Sequence, residues 1–142
     1  MKKPHTPADT NIQWDALRAA AEAAKARAYA PYSNFRVGAA LLCEDGSMVS
    51  GCNVENASYG LTVCAERNAV FAAVALGKTR FVAIAICTDQ EAPVTPCGAC
   101  RQVLAEFAPP FSVRCYGTRG DEICETTASL LPHAFGKDHL AD

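Results

Sequence analysis

Phe81-Val-Ala-Ile-Ala-Ile-Cys87 is an unbroken apolar run of strand length, as expected of a strand covered on both faces. Before it, Cys64 to Leu76 (CAERNAVFAAVAL) reads as a helix ended by Gly77. After it, Pro93 and Pro96 bracket a loop, and Gly98 to Phe107 reads as another helix, stopped before Pro109-Pro110. Farther out, Phe35 to Cys43 and Met48 to Val54 flank the turn residues Glu44, Asp45 and Gly46 and read as a hairpin. Phe111 to Tyr116 and Glu122 to Thr126 read as two short final strands, followed by a short helix over Ala128 to Leu131 and a polar tail. A hairpin followed by strands alternating with helices predicts a layered α/β domain, with helices on both faces of a mixed sheet.

The N-terminal part fits the same picture. Met1 to Thr10 reads as a loose polar lead. Ile12 to Tyr29 is alanine-rich, with Ile12, Leu17, Ala20 and Ala24 at roughly helical spacing, and is expected to form an amphipathic helix stopped by Pro31. The chain has 142 residues and shows no internal repeat or linker, so a single domain over 1–142 is expected. A net charge of −2 lacks the basic footprint of a nucleic-acid binder. No apolar run approaches the ~18 residues of a membrane span, and the lead has no apolar segment of a secretory signal. A cytoplasmic protein is the expectation.

Eight cysteines then point to metal, chemistry or burial rather than disulfides. Cys43, Cys52, Cys87 and Cys115 sit in or near apolar strand-like stretches and read as buried thiols, with Cys124 similar. Cys64-Ala-Glu66-Arg67 and Pro96-Cys97-Gly-Ala-Cys100-Arg101 stand apart. A lone CxxC leaves zinc, redox chemistry and coincidence open, but a third cysteine at another helix start favours zinc. Cys97 and Cys100 can project from one face of a first helical turn, and helix N-termini favour thiolates. Three thiolates around a divalent ion leave excess negative charge. Arg67, three residues after Cys64, can offset it by donating to sulfur; Arg101 is a weaker candidate. Glu66 alone would read as a first-turn acid favoured by the helix dipole. Beside three candidate ligands it reads as the group that moves protons. It can reach the metal only if Cys64 lies at the very start of the helix. His5, His133 and His139 are not needed as ligands.

Cys64-Ala-Glu66 followed by Pro96-Cys97-x-x-Cys100 resembles the signature of the zinc nucleoside deaminases, in its three-cysteine form. The stretches Tyr32-Ser-Asn-Phe35-x-Val37-Gly38-Ala39-Ala40, Gly51-Cys-Asn53-Val-Glu55-Asn56-Ala57-Ser-Tyr59 and Leu131-Pro132-x-x-Phe135 are similar to those of the small homotetrameric cytidine deaminases. That resemblance implies a three-layer α/β/α sandwich on a mixed five-stranded sheet. It also implies one zinc per subunit, a small-molecule nucleoside substrate, and a homotetramer whose sites are completed by neighbouring subunits. The reaction implied is deamination of cytidine and 2′-deoxycytidine in pyrimidine salvage, with Glu66 catalytic. Asn53 and Glu55 would bond the ribose hydroxyls, Phe35 and Phe135 would pack on the nucleoside, Phe135 and Tyr59 would act across subunit boundaries, and the backbone at Ala65 would meet the pyrimidine edge.

Other readings remain at this level. A cytosine-bearing antibiotic of the blasticidin type is an alternative substrate within the same chemistry. A thioredoxin-like Cys97–Cys100 pair would leave Cys64, Glu66 and Arg67 unexplained. A structural zinc module would need a fourth protein ligand, for which Cys52 and Cys87 are the candidates.

Overall fold

A computed structural model describes residues 11–140. The polar lead expected over Met1 to Thr10, with His5, lies outside the described residues. Strands β1 (Val37–Cys43), β2 (Met48–Cys52), β3 (Phe81–Thr88), β4 (Ser112–Tyr116) and β5 (Glu122–Thr126) form one sheet in the order β2-β1-β3-β4-β5. β1 runs antiparallel to β2 and β3, β3 parallel to β4, and β4 antiparallel to β5. Helices α1 (Trp14–Lys25), α2 (Ala65–Ala75) and α3 (Gly98–Ala105) cover it, and α4 (Thr127–Leu130) follows β5.

The period-two alternation of the central strands divides the core in two. Ala39 and Leu41 of β1 and Ile84 and Ile86 of β3 face Ala69, Val70 and Ala73 of α2 and Leu104 of α3. The intervening Ala40, Ala83, Ala85 and Cys87 face Trp14, Leu17 and Ala21 of α1. The apolar run 81–87 is therefore a strand covered on both sides, and the three-layer sandwich follows.

Two features of α1 differ from the sequence expectation. Its buried stripe is Trp14, Leu17, Ala21 and Ala24, so Trp14 and Ala21 hold the places assigned to Ile12 and Ala20. The helix also ends at Lys25 rather than Tyr29. The backbone of Tyr29 is recruited elsewhere: its N–H donates to Asn53 O at 3.0 Å and its carbonyl accepts from Glu55 N at 2.8 Å. Strand-like pairing with the exit of β2 thus replaces the last helical turn.

Close approach of helices to the sheet depends on two glycines. A Cβ at Gly38 would lie 2.0 Å from Ala21 O, and one at Gly51 2.4 Å from Ala69 N. Both obstacles are backbone, so no side chain can rotate away. Gly51→Ala should therefore push α2 off the sheet and destabilise the fold by about 1–3 kcal/mol or more. A lowered urea midpoint at unchanged m-value is the expected readout.

The register assigns the functional end of the sheet. Val37 at the start of β1 pairs with Thr88 at the end of β3, and Gly38 with Cys52 at the end of β2. Residues 32–36, 53–55 and 89–97 consequently emerge at one edge, beside the first turns of α2 and α3.

Candidate metal centre and its surroundings

Cys64 and Cys97 are the N-cap residues of α2 and α3, both with extended backbone. Cys100 lies in the first turn of α3 and is fully buried. The loop approaches to two helices, remote in sequence, thus deliver three thiols to one place. Their sulfurs all lie within 4.8 Å of one another, and Cys64 Sγ is 3.8 Å from Cys97 Sγ. Tetrahedral zinc with Zn–S bonds of about 2.3 Å separates its sulfurs by about 3.8 Å. Donor set and spacing therefore both suit zinc. Among the described residues, no fourth His, Cys, Asp or Glu joins the group. Cys52 and Cys87, the candidates for the fourth ligand of a closed structural site, stay outside it.

The charge around the sulfurs is arranged as the sequence suggests. Arg67 donates from a terminal guanidinium nitrogen to Cys64 Sγ at 3.5 Å. A hydrogen bond from Cys100, together with Arg67 and Cys97, holds the Cys64 thiol down to about 5 despite its partial burial. Cys100 is pushed up by its bond to Cys64 and by burial. Metal binding to thiols displaces the protons they carry. Arg101 does not share Arg67's place. Its guanidinium bonds Pro96 O at 2.7 Å, Leu130 O at 2.9 Å and Thr95 Oγ1 at 2.8 Å, tying the loop before Cys97 to α4.

Glu66 is only 5% exposed. Burial raises its carboxyl above the usual carboxylate range, and the neighbouring Cys64 charge adds to this. A buried carboxyl in the first turn of α2, beside Cys64 and Cys100, thus has a raised proton affinity.

The chain matches the family described as the cytidine and deoxycytidylate deaminase zinc-binding region over residues 12–114. The chain belongs to that family. It is 52% identical over 130 residues to a cytidine deaminase of Sporosarcina psychrophila, covering 89% of this chain and 96% of the relative. It is 45% identical over 130 residues to a cytidine deaminase of Mycobacterium tuberculosis, with 92% of this chain and 95% of that one covered. A crystal structure of a cytidine deaminase from Burkholderia pseudomallei is similar at 50% identity and a TM-score of 0.84, covering 87% of this chain and all of that one. These findings bear out the resemblance, the fold class and the zinc-binding character expected of a deaminase of this family.

Phe35, Asn53 and Glu55 flank the paired ends of β1 and β2. Asn53 is buried; its side-chain amide donates to Phe35 O at 2.7 Å and its Oδ1 accepts from Val37 N at 2.9 Å. The Glu55 carboxylate accepts from Tyr32 N at 2.9 Å, Ser33 N at 3.1 Å and the Ser33 hydroxyl. That hydroxyl is the foremost cause holding the Glu55 carboxyl below its ordinary value. Positions 53 and 55 lie beyond the strand on which they were expected: β2 ends at Cys52, and Val54 takes part only in isolated bridges. Phe35 is half-buried, Ala65 is fully buried, and Tyr59 and Phe135 are exposed.

Three partners have no counterpart in the sequence reading. Ser33 holds Glu55, Asn68 donates to Cys52 O, and Gln102 donates to Phe135 O at 2.8 Å. The separations are 22, 16 and 33 residues, so no local spacing reveals them.

Proposed function

We propose that this protein is a cytidine deaminase, hydrolysing cytidine and 2′-deoxycytidine to the corresponding uridine and ammonia in pyrimidine salvage. The observation that carries this is the buried Glu66 in the first turn of α2, at a three-thiol cluster left without a fourth protein ligand among the described residues. A zinc ion held by Cys64, Cys97 and Cys100, one per subunit, supplies a Lewis acid that makes water nucleophilic near neutral pH. Glu66 accepts a proton from the attacking water and delivers it to ring N3, which makes C4 more electrophilic. The water oxygen bonds to C4, and Glu66 carries the remaining proton of that oxygen to the exocyclic amine, leaving a carbonyl at C4. The C4–N bond then breaks, and ammonia leaves. Arg67 offsets the excess charge of the thiolates. Asn53 and Glu55 meet the ribose hydroxyls, Phe35 packs on the nucleoside, and backbone at Ala65 contacts the pyrimidine edge.

The enzyme is a homotetramer in this proposal, with Phe135 and Tyr59 reaching neighbouring sites. Support comes from apolar side chains turned outward: Phe71 at 51% exposure, Leu76 at 65%, Tyr59 at 74% and Phe135 at 58%. Large apolar side chains left exposed in the single chain are candidates for burial between subunits. A cytoplasmic setting is supported by the absence of any disulfide among the described cysteines. No helix of the described residues is long and apolar enough to cross a membrane.

The test is the loss of cytidine's ultraviolet absorbance on incubation with protein of known metal content. Stoichiometric zinc with turnover of cytidine supports the proposal; zinc-loaded protein that releases no ammonia from cytidine or deoxycytidine overturns it. Arg67→Ala gives a subsidiary expectation. The proximity of its guanidinium to Cys64 Sγ implies that zinc dissociates faster into a chelator, with kcat reduced about 10- to 100-fold. Unchanged zinc release and turnover would remove Arg67 from the account.

A further inference from the structure

Asn68, one helical turn beyond Cys64, lies between the metal cluster and the residues assigned to ribose. Its side-chain nitrogen carries two hydrogens, and that nitrogen has two acceptors: Cys52 O at 2.8 Å and Val63 O at 3.3 Å. Cys52 directly precedes Asn53, and Val63 directly precedes Cys64. The same two segments meet once more, where Val54 N donates to Val63 O and Val63 N to Val54 O, both at 3.0 Å. From Asn53 the chain of contacts runs on to Phe35 O and Val37 N. In the other direction, Asn68 N donates to Cys64 O at 3.1 Å. One side chain therefore spans the backbone just before a candidate metal ligand and the backbone just before a candidate ribose ligand.

We infer that Asn68 is a positioning residue that sets the distance between the metal cluster and the ribose-binding residues, and hence places C4 of the nucleoside against the metal. The inference rests on the cytidine deaminase reading. Glu66, which moves the protons, comes from the helix that carries Asn68. Asn53 and Glu55, by contrast, lie on the chain leaving β2, and the two elements must be held in register to a fraction of an ångström for reaction. A leucine or alanine at 68 would remove the Asn68 donor from Cys52 O and leave Val63 O with the Val54 N–H alone. An aspartate would keep the shape but oppose each carbonyl with a charged oxygen.

The experiment compares Asn68→Ala, Asn68→Asp and Asn68→Ser with the wild type for zinc content, unfolding midpoint, and kcat and KM on cytidine and on 3′-deoxycytidine. The expected result has three parts. Zinc stays stoichiometric in Asn68→Ala and Asn68→Asp. KM for cytidine rises on the order of 10- to 100-fold, more than kcat falls. The preference for cytidine over 3′-deoxycytidine shrinks toward one, because Asn53 and Glu55 no longer meet the sugar in register. Asn68→Ser, which keeps one donor, falls between. A lowered unfolding midpoint with unchanged KM and unchanged sugar preference would make Asn68 a fold staple and overturn the inference. Loss of zinc or failure to fold in all three variants would also overturn it. A wild type that turns over cytidine without distinguishing the two sugars would remove the ribose role of Asn53 and Glu55, and the inference with it. A zinc-loaded wild type with no turnover of either would instead sink the deaminase reading itself.

Discussion

Glu66→Ala should keep its zinc and lose turnover of cytidine by about 100- to 10,000-fold. The side chain donates nothing to the metal cluster, whose three sulfurs come from other positions. Its removal therefore leaves the ligand set intact and takes away the group that relays protons between water, ring N3 and the amine. Glu66→Gln separates charge from shape: it retains the volume and a hydrogen-bonding end but cannot accept the proton, so it should be nearly as inactive. Stability should not suffer in either case of folded protein. Burial disfavours the ionised carboxyl, as its raised proton affinity indicates, so substitution by a neutral side chain leaves the unfolding midpoint equal or higher. Near-normal kcat in zinc-loaded Glu66→Ala would remove the residue from the mechanism.

Cys100→Ala should lose both metal and activity. Cys100 is fully buried at the start of α3, while its neighbours in the cluster, Cys64 and Cys97, are partly buried and exposed. Two thiols facing solvent form a poor site for a cation that prefers four ligands, so zinc should fall to the background of dialysed protein, and deamination with it. The control is Cys115→Ala. Cys115 is as deeply buried, on β4 among the core side chains, and burial pushes its thiol up to about 12. It behaves as a small hydrophobe. Its replacement should cost roughly 1–2 kcal/mol of stability while zinc content and kcat stay within about twofold of wild type. Retention of stoichiometric zinc by Cys100→Ala would contradict the three-sulfur site.

The contrast between these two buried cysteines shows what the sequence makes legible. Cys100 is marked by its spacing from Cys97 and by the helix start that both share; Cys115 is marked by the apolar strand around it. Both signals are local, and both survive folding. The same holds for β3, where an unbroken apolar run of strand length is what a strand covered on both faces requires. The placement of Cys64 also follows from local logic: Glu66 can serve the cluster only if Cys64 is the cap, and the cap is where it lies. Trp14 escaped for the opposite reason. It begins its helix at the edge of the amphipathic window, and only the Ala40 and Ala85 side of the sheet decides that it faces inward. The end of α1 escaped likewise, because Tyr29 is drawn into backbone pairing with Asn53 and Glu55.

At the site, the candidate reactive residues are readable in the sequence and their supports are not. The thiols, Glu66 and Arg67 occupy two short segments whose spacing carries the chemistry. Arg101 shows the limit of that reasoning: its position beside Cys100 suggests service to the metal, while its actual partners are Pro96, Thr95 and Leu130. Ser33, Asn68 and Gln102 bond to chain that is near only after the sheet has assembled. The Asn53 and Glu55 side chains likewise hold the 32–37 segment in place, a structural task that the ribose assignment alone does not suggest.

Zinc K-edge X-ray absorption of the purified protein addresses the metal site directly. The account predicts three sulfur scatterers at about 2.3 Å and one light atom, oxygen or nitrogen, completing the shell. Four sulfurs, or a shell with no sulfur at all, would contradict it.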